Sequence, residues 1–152
     1  MALREMFSEG LKTSMRAGDA ARTSTLRMIL ARLKDLDIAA RPKGLTAIPD
    51  EDVLSMLRGM VKSRRESVEL YRQGSRPELA AKEEAEIAVI EGFLPQQMGD
   101  ADLAAAVEAA VAETGAASPK DMGRVMAALK AAHGAALDMG RAGPLVRARL
   151  SP

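Results

Sequence analysis

The chain has 152 residues and a formal net charge of +1, so its overall charge does not identify a nucleic acid or another charged partner. It contains no cysteine, which excludes disulfides, thiolate catalysis and metal sites with cysteine ligands. Only 2% of the residues are aromatic and 10 are methionine, a composition that favours helices with an aliphatic core over strands.

The first residues, MALREMFSEGLK, contain no long apolar run. We therefore expect neither a signal peptide nor a membrane span at this end. The lack of cysteine fits a reducing compartment. Together these features predict a cytoplasmic protein that contacts no membrane.

Apolar residues at helical spacing predict four helices in residues 1–94. The first ends at Gly18, the second covers about 20–38, and residues 39–49 form a loop. The third and fourth helices cover about 50–73 and 76–93, and the short turn near Gly74 predicts that they are antiparallel. The second helix has a basic flank that we interpret as a solvated face: Arg22, Arg27, Arg32 and Lys34.

Charged residues interrupt the apolar stripes of the third and fourth helices. Arg64 lies in one stripe, and Glu83 and Glu86 lie in the other, at similar distances from the turn. Because unpaired charges are costly to bury, we predict a structural ion pair that fixes the register of the hairpin. The alternative is an acid/base pair or a metal site, which is less favoured because no histidine is near.

Residues 98–152 predict a smaller helical unit that follows a short linker. Helices are expected at about 100–114 and 119–133, and Gly140–Gly143 is expected to be a flexible turn before a last helix that Pro144 opens. His133, the only histidine, is interpreted as a helix-terminal residue. No motif for a nucleotide, a metal or another cofactor is present, so no cofactor is predicted.

Four cations of this second half are candidate RNA-binding residues: Lys120, Arg124, Lys130 and Arg141. Arg141 falls in the predicted glycine turn, where backbone amides would be open to a phosphate. Ordinary surface charge is the alternative interpretation. The scarcity of aromatic residues indicates that any RNA contact reads shape and phosphate rather than stacked bases.

Three stretches resemble the GatB/YqeY family: STLRMIL (24–30), KSRRESVELYRQGSRPELAAKEEAEIAVIEGFLPQQM (62–98) and SPKDMGRVMAALK (118–130). The resemblance implies an all-α fold with a front helical bundle at 1–94 and a three-helix domain at 98–152. The latter is similar to the tail domain of the B subunit of the glutamine-dependent tRNA amidotransferase, which helps to hold tRNA. The family label is carbon–nitrogen ligase activity with glutamine as amido donor.

Three functions follow as hypotheses. The first is an accessory factor of translation that contacts tRNA or a tRNA-handling enzyme through the four cations. The second is a helical adaptor that binds another protein through exposed methionine and alanine faces. The third is an amidotransferase in its own right, which is least favoured because no amidase Ser/Lys machinery and no kinase-like nucleotide site are visible. The oligomeric state is not predicted.

Overall fold

The all-α prediction is confirmed. The structure, a computed structural model, describes residues 2–152 except the side chain of Ala135, and no strand occurs among those residues. The helices are α1 (Leu3–Ala17), α2 (Ala20–Ala40), α3 (Asp50–Gln73), α4 (Pro77–Glu91), α5 (Asp100–Thr114), α6 (Met122–His133) and α7 (Met139–Leu150). Short 3-10 turns cover Arg41–Lys43, Pro119–Asp121 and Gly134–Ala136.

Contacts within the chain define two compact units, one ending at Leu94 and the other beginning at Pro95. We call them the front unit and the rear unit and describe each by itself. Their assignment as domains at 1–94 and 98–152 stays a prediction.

The front unit contains α1 to α4 around an aliphatic core. Leu26, Ile29, Leu57 and Ile90 are fully buried, and the rings of Phe7 and Phe93 meet edge to face with centroids 5.0 Å apart. Burial of these side chains is the main contribution to the stability of the unit.

Local chemistry explains where the front helices begin and end. Gly18 ends α1 with a φ of 70°, a conformation that glycine adopts without a Cβ clash, and the carboxylate of Asp19 then accepts the Arg22 N–H at the start of α2. The second helix continues to Ala40, two residues beyond its predicted end, because Ala40 is buried in the core. The fourth helix ends at Glu91 rather than Phe93, ahead of the backbone restriction that Pro95 imposes on Leu94.

Helices α3 and α4 form an antiparallel hairpin. Arg72 pairs with Glu84 near the turn, and Arg65 pairs with Glu91 farther from it. This alignment places the middle of α3 against the middle of α4.

In the rear unit, α5, α6 and α7 enclose a second core. Its most buried side chains include Leu103, Val125, Leu129 and Val146. The backbone N–H of Met98 donates to the carbonyl of Ala136, which joins the start of the unit to the turn after α6.

The last helix differs from the prediction, because Gly140–Gly143 is helical rather than a flexible turn. Asp138 caps α7 by accepting the Gly140 N–H, and Ala142 and Gly143 are buried inside the helix. Pro144 therefore lies within α7 instead of opening it. The cap and the burial outweigh the low helix propensity of glycine and proline.

Candidate nucleic-acid interface

The candidate interface is the exposed side of α6 together with the 3-10 turn before it. Val125 and Leu129 of α6 are buried in the core, whereas Arg124 and Lys130 lie on the exposed side of the helix. Lys120, in the 3-10 turn, is also exposed. Three of the four predicted RNA-binding cations thus lie on the turn and helix of one segment.

Small residues separate these cations along the helix. Gly123, Ala127 and Ala131 are exposed on the same side of α6 and occur at spacings of four residues. A surface without long side chains between its cations allows a close approach by a sugar-phosphate backbone.

Arg124 already has partners within the rear unit. Its guanidinium donates to the Thr114 carbonyl at 3.2 Å and to Asp121 Oδ1 at 2.6 Å. The Asp121 pKa is lowered to about 2, first because the Ala117 N–H donates to this carboxylate and then because Arg124 does. The Arg124 side chain is 60% exposed, and ion pairs at such positions are weak, so a phosphate can compete for the guanidinium.

Arg141 is bound differently from the prediction. The amides of the expected glycine turn are not open, since Gly140 donates to Asp138 Oδ1 and Arg141 and Ala142 donate to the Asp138 carbonyl. The Arg141 guanidinium donates to the Met98 carbonyl at 2.7 Å and to Asp100 Oδ1 at 2.6 Å. The described contacts give Arg141 a role in holding the start of the rear unit.

Charge is separated between the helices of the rear unit. Helices α6 and α7 contain no aspartate or glutamate, and their Lys/Arg residues are Arg124, Lys130, Arg141, Arg147 and Arg149. The acids of α5 are Asp100, Asp102, Glu108 and Glu113. Glu108 accepts from Arg149 at 2.7 Å, so α5 partly neutralises α7, and Asp121 at the start of α6 pairs with Arg124.

The predicted ion pair lies in the front unit, away from solvent. Arg64 Nε donates to Glu86 Oε2 at 3.0 Å, and its distance to Glu83 Oε2 is 4.0 Å. The other guanidinium nitrogens reach the Met60 carbonyl at 3.3 Å and the sulfur of Met28 at 3.6 Å. The side chains of Arg64 and Glu86 are each 15% exposed, and the surroundings satisfy the charge of the arginine.

A second ion pair of the front unit was not predicted. Both terminal nitrogens of Arg4 donate to Asp37 at 2.8 Å, and Asp37 also accepts the Ile48 N–H at 2.8 Å. The hydrogen bonds from Arg4 and then from Ile48 lower the Asp37 pKa to about 2. Asp37 follows Leu33 by four residues, so the signal that revealed Arg64 was present here as well: a charge within an apolar stripe.

No group of three or more His, Asp or Glu residues suited to a metal ion occurs within residues 2–152. Over the same residues, no helix combines the length and apolar character needed to cross a bilayer.

These features define an all-helical protein with a basic helix surface in its rear unit. The chain belongs to the YqeY-like protein family, whose model matches residues 4–150. The family resemblance noted from the sequence is therefore confirmed.

Several fungal proteins are similar to this chain. An uncharacterized protein of Schizosaccharomyces pombe is 30% identical over 94 residues, which cover 62% of this chain and 73% of that protein. Altered inheritance of mitochondria protein 41, mitochondrial, is 32% identical over 90 residues in Lachancea thermotolerans and 29% identical over 125 residues in Pyrenophora tritici-repentis. These matches cover 59% and 79% of this chain, and 46% and 67% of the relatives.

The Lachancea match thus spans less than half of that relative's length. The prediction of a cytoplasmic protein is wrong on this comparison, because the relatives are named as mitochondrial proteins. The sequence features behind that prediction, an absence of cysteine and of an apolar N-terminal run, do not distinguish the two compartments.

Proposed function

We propose that this YqeY-like protein is an accessory factor that binds tRNA through the exposed side of α6. The observation that supports the proposal most directly is the separation of charge in the rear unit. Lys120, Arg124 and Lys130 lie on a segment whose helix contains no acid and whose one acid, Asp121 in the preceding turn, pairs with Arg124. Four of the six acids in residues 95–152 lie on α5.

The chemistry of the surface favours contacts to phosphate and ribose. Residues 95–152 include no Phe, Tyr or Trp side chain on which a base could stack. The cations and the small residues between them suit the shape of an RNA backbone rather than a base sequence. We therefore expect binding that depends strongly on salt and weakly on the identity of the tRNA.

Catalysis is not part of the proposal. The carbon–nitrogen ligase label implied by the family resemblance describes a reaction of a larger enzyme, and we expect no glutaminase activity from the purified chain. Association with an amidotransferase is a separate proposal, because a surface that binds tRNA does not by itself require that enzyme as a partner.

Filter binding of bulk tRNA at about 50 and 200 mM salt tests the proposal. We expect affinity to fall steeply with salt for the wild-type chain. K120Q and K130Q should each reduce the slope of log affinity against log salt by about 1, the effect of losing one phosphate contact. The matched control is K43Q, which removes an exposed lysine of the front unit.

Two results would overturn the proposal. One is an absence of tRNA retention at low salt, which favours the adaptor hypothesis. The other is an equal loss of slope in K43Q, K120Q and K130Q, which is expected if RNA contacts any positive charge without a defined site.

A further inference from the structure

A groove between the end of α1 and the first half of α2 lies outside the surface discussed above. It has a volume of about 580 Å³, and its lining includes Ser14 and Met15 from α1 and Thr23, Arg27, Met28 and Ala31 from α2. All of these residues belong to the front unit.

The groove has an apolar base. Met15, near the end of α1, is 54% exposed, and Met28, Ala20 and Ala31 of α2 continue the apolar surface. The deepest hydroxyls are already satisfied, since Thr23 Oγ1 donates to Ser14 Oγ at 2.9 Å and Ser14 Oγ donates to the Leu11 carbonyl. Flexible methionines adapt to side chains that enter such a surface.

The rim of the groove is basic. Arg27 lines it, and Lys34 lies seven residues later on the same exposed side of α2. Neither cation forms an ion pair with a carboxylate of the described residues. Among the nearby acids, Glu9 pairs with Lys12 at 3.2 Å and Asp19 caps α2. Asp35 is exposed beside Lys34, but it does not line the groove, whose one charged lining residue is Arg27.

Shape and charge together select the kind of partner. An apolar base with a basic rim complements an amphipathic helix with an acidic flank. A nucleic acid fits less well, because the base offers methionine and alanine instead of stacking surfaces or donors.

A second copy of this chain is also a poor fit. Its acidic helices are α4 and α5. The α4 carboxylates are already paired: Glu78 with Arg76, Glu84 with Arg72, Glu86 with Arg64, and Glu91 with Arg65. The apolar face of α5, which includes Leu103 and Val107, is buried in the core of the rear unit. Docking either helix into another copy would break these contacts. The complementary helix therefore belongs to a different protein.

We propose that this α1–α2 groove binds an amphipathic helix of a partner protein. The apolar ridge of that helix packs against Met15 and Met28, and its acidic flank contacts Arg27 and Lys34. The inference is independent of RNA binding by α6 and gives the front unit a function of its own.

A synthetic peptide probe tests the groove with the full-length chain. It is a fluorescein-labelled helix of about 18 residues, or five turns, with leucines along one face and glutamates beside them. A second peptide carries lysine at each glutamate position, and a third carries serine at each leucine position. Fluorescence anisotropy at low salt reports binding.

We expect the glutamate peptide to bind the wild-type chain and the other two peptides to bind at least about tenfold more weakly, a difference of about 1.4 kcal/mol. M15S and R27Q should each weaken binding by about fivefold or more. The controls L70S and K43Q should change it by less than about twofold. Leu70 is 67% exposed on α3 and Lys43 is exposed after α2, so the controls remove one apolar and one positively charged side chain outside the groove.

Several outcomes would overturn the proposal. They are an absence of glutamate-peptide binding, equal binding of the lysine peptide, and equal effects of M15S and L70S. A dimer by analytical ultracentrifugation that M15S disrupts would assign the groove to a second copy. Displacement of the peptide by tRNA, with loss of tRNA binding in R27Q, would assign it to nucleic acid.

Discussion

Arg64 Nε donates to Glu86 Oε2 at 3.0 Å across the α3–α4 hairpin, and both side chains are largely withdrawn from solvent. A second carboxylate of α4, that of Glu83, lies farther away, with its Oε2 4.0 Å from Arg64 Nε. A buried charge that loses its partner destabilises the fold, so a shift of α3 relative to α4 that separated Arg64 from Glu86 would be costly. The ion pair therefore helps to fix the register of the hairpin.

E86Q should lower the free energy of unfolding by about 1–3 kcal/mol, because it leaves Arg64 without its closest carboxylate. E83Q should cost less, since Glu83 is farther away. E84Q should change stability by less than about 0.5 kcal/mol, because Glu84 and Arg72 form an exposed pair. Urea unfolding gives the order. Equal values for E84Q and E86Q would contradict the role given to the buried pair.

The Arg4–Asp37 pair predicts a loss of stability in acid. The folded pKa of Asp37 is lowered to about 2 from an ordinary value of 3.8, so its stabilising contribution is complete above pH 4 and is lost as pH falls toward 2. D37N should therefore destabilise the protein by about 1–2 kcal/mol at pH 6 and by almost nothing at pH 2. D35N, at an exposed neighbouring aspartate, is the control. An equal D37N effect at both pH values would refute this assignment.

Two glycines of the front unit should respond to alanine with opposite signs. Gly18 has a φ of 70°, so G18A should cost about 1 kcal/mol through backbone strain. Gly59 lies inside α3 with no atom near the position of a Cβ, so G59A should add up to about 1 kcal/mol. Thermal unfolding measures both. A shift of the melting temperature in the same direction for both variants would contradict the backbone conformations described for Gly18 and Gly59.

P144A tests where α7 begins. Pro144 lies inside the helix and cannot donate a backbone hydrogen bond, so alanine should raise stability by about 1–2 kcal/mol after allowing for the greater freedom of the unfolded chain. If Pro144 instead occupied the first turn, as predicted from the sequence, the replacement would lower stability. The sign of the change separates these two structures.

The sequence is most informative where apolar periodicity is strong. The bounds of α3 and α5 follow from that periodicity and from nearby glycine and acidic residues. The positions of Arg64, Glu83 and Glu86 relative to the turn at Gly74 also predict that the arginine lies opposite the two glutamates. In each case local spacing carries the structural information.

Prediction was weaker where tertiary contacts override local preference. The glycines before Pro144 suggested a turn, but the Asp138 cap and the burial of Ala142 make the segment helical. This change removes the open amides expected near Arg141 and places its guanidinium on Asp100. The Arg4–Asp37 pair was not predicted, although Asp37 interrupts an apolar stripe in the same way as Arg64 does.

Hydrogen–deuterium exchange of the full-length chain with and without bulk tRNA tests the central claim most directly. At low salt, tRNA should slow exchange in peptides from the Pro119–Asp121 turn and α6, with little change in α5. The protection should disappear at high salt and in a K120Q/K130Q variant. Protection that is confined to other helices, or that persists in this variant, would contradict tRNA binding through α6.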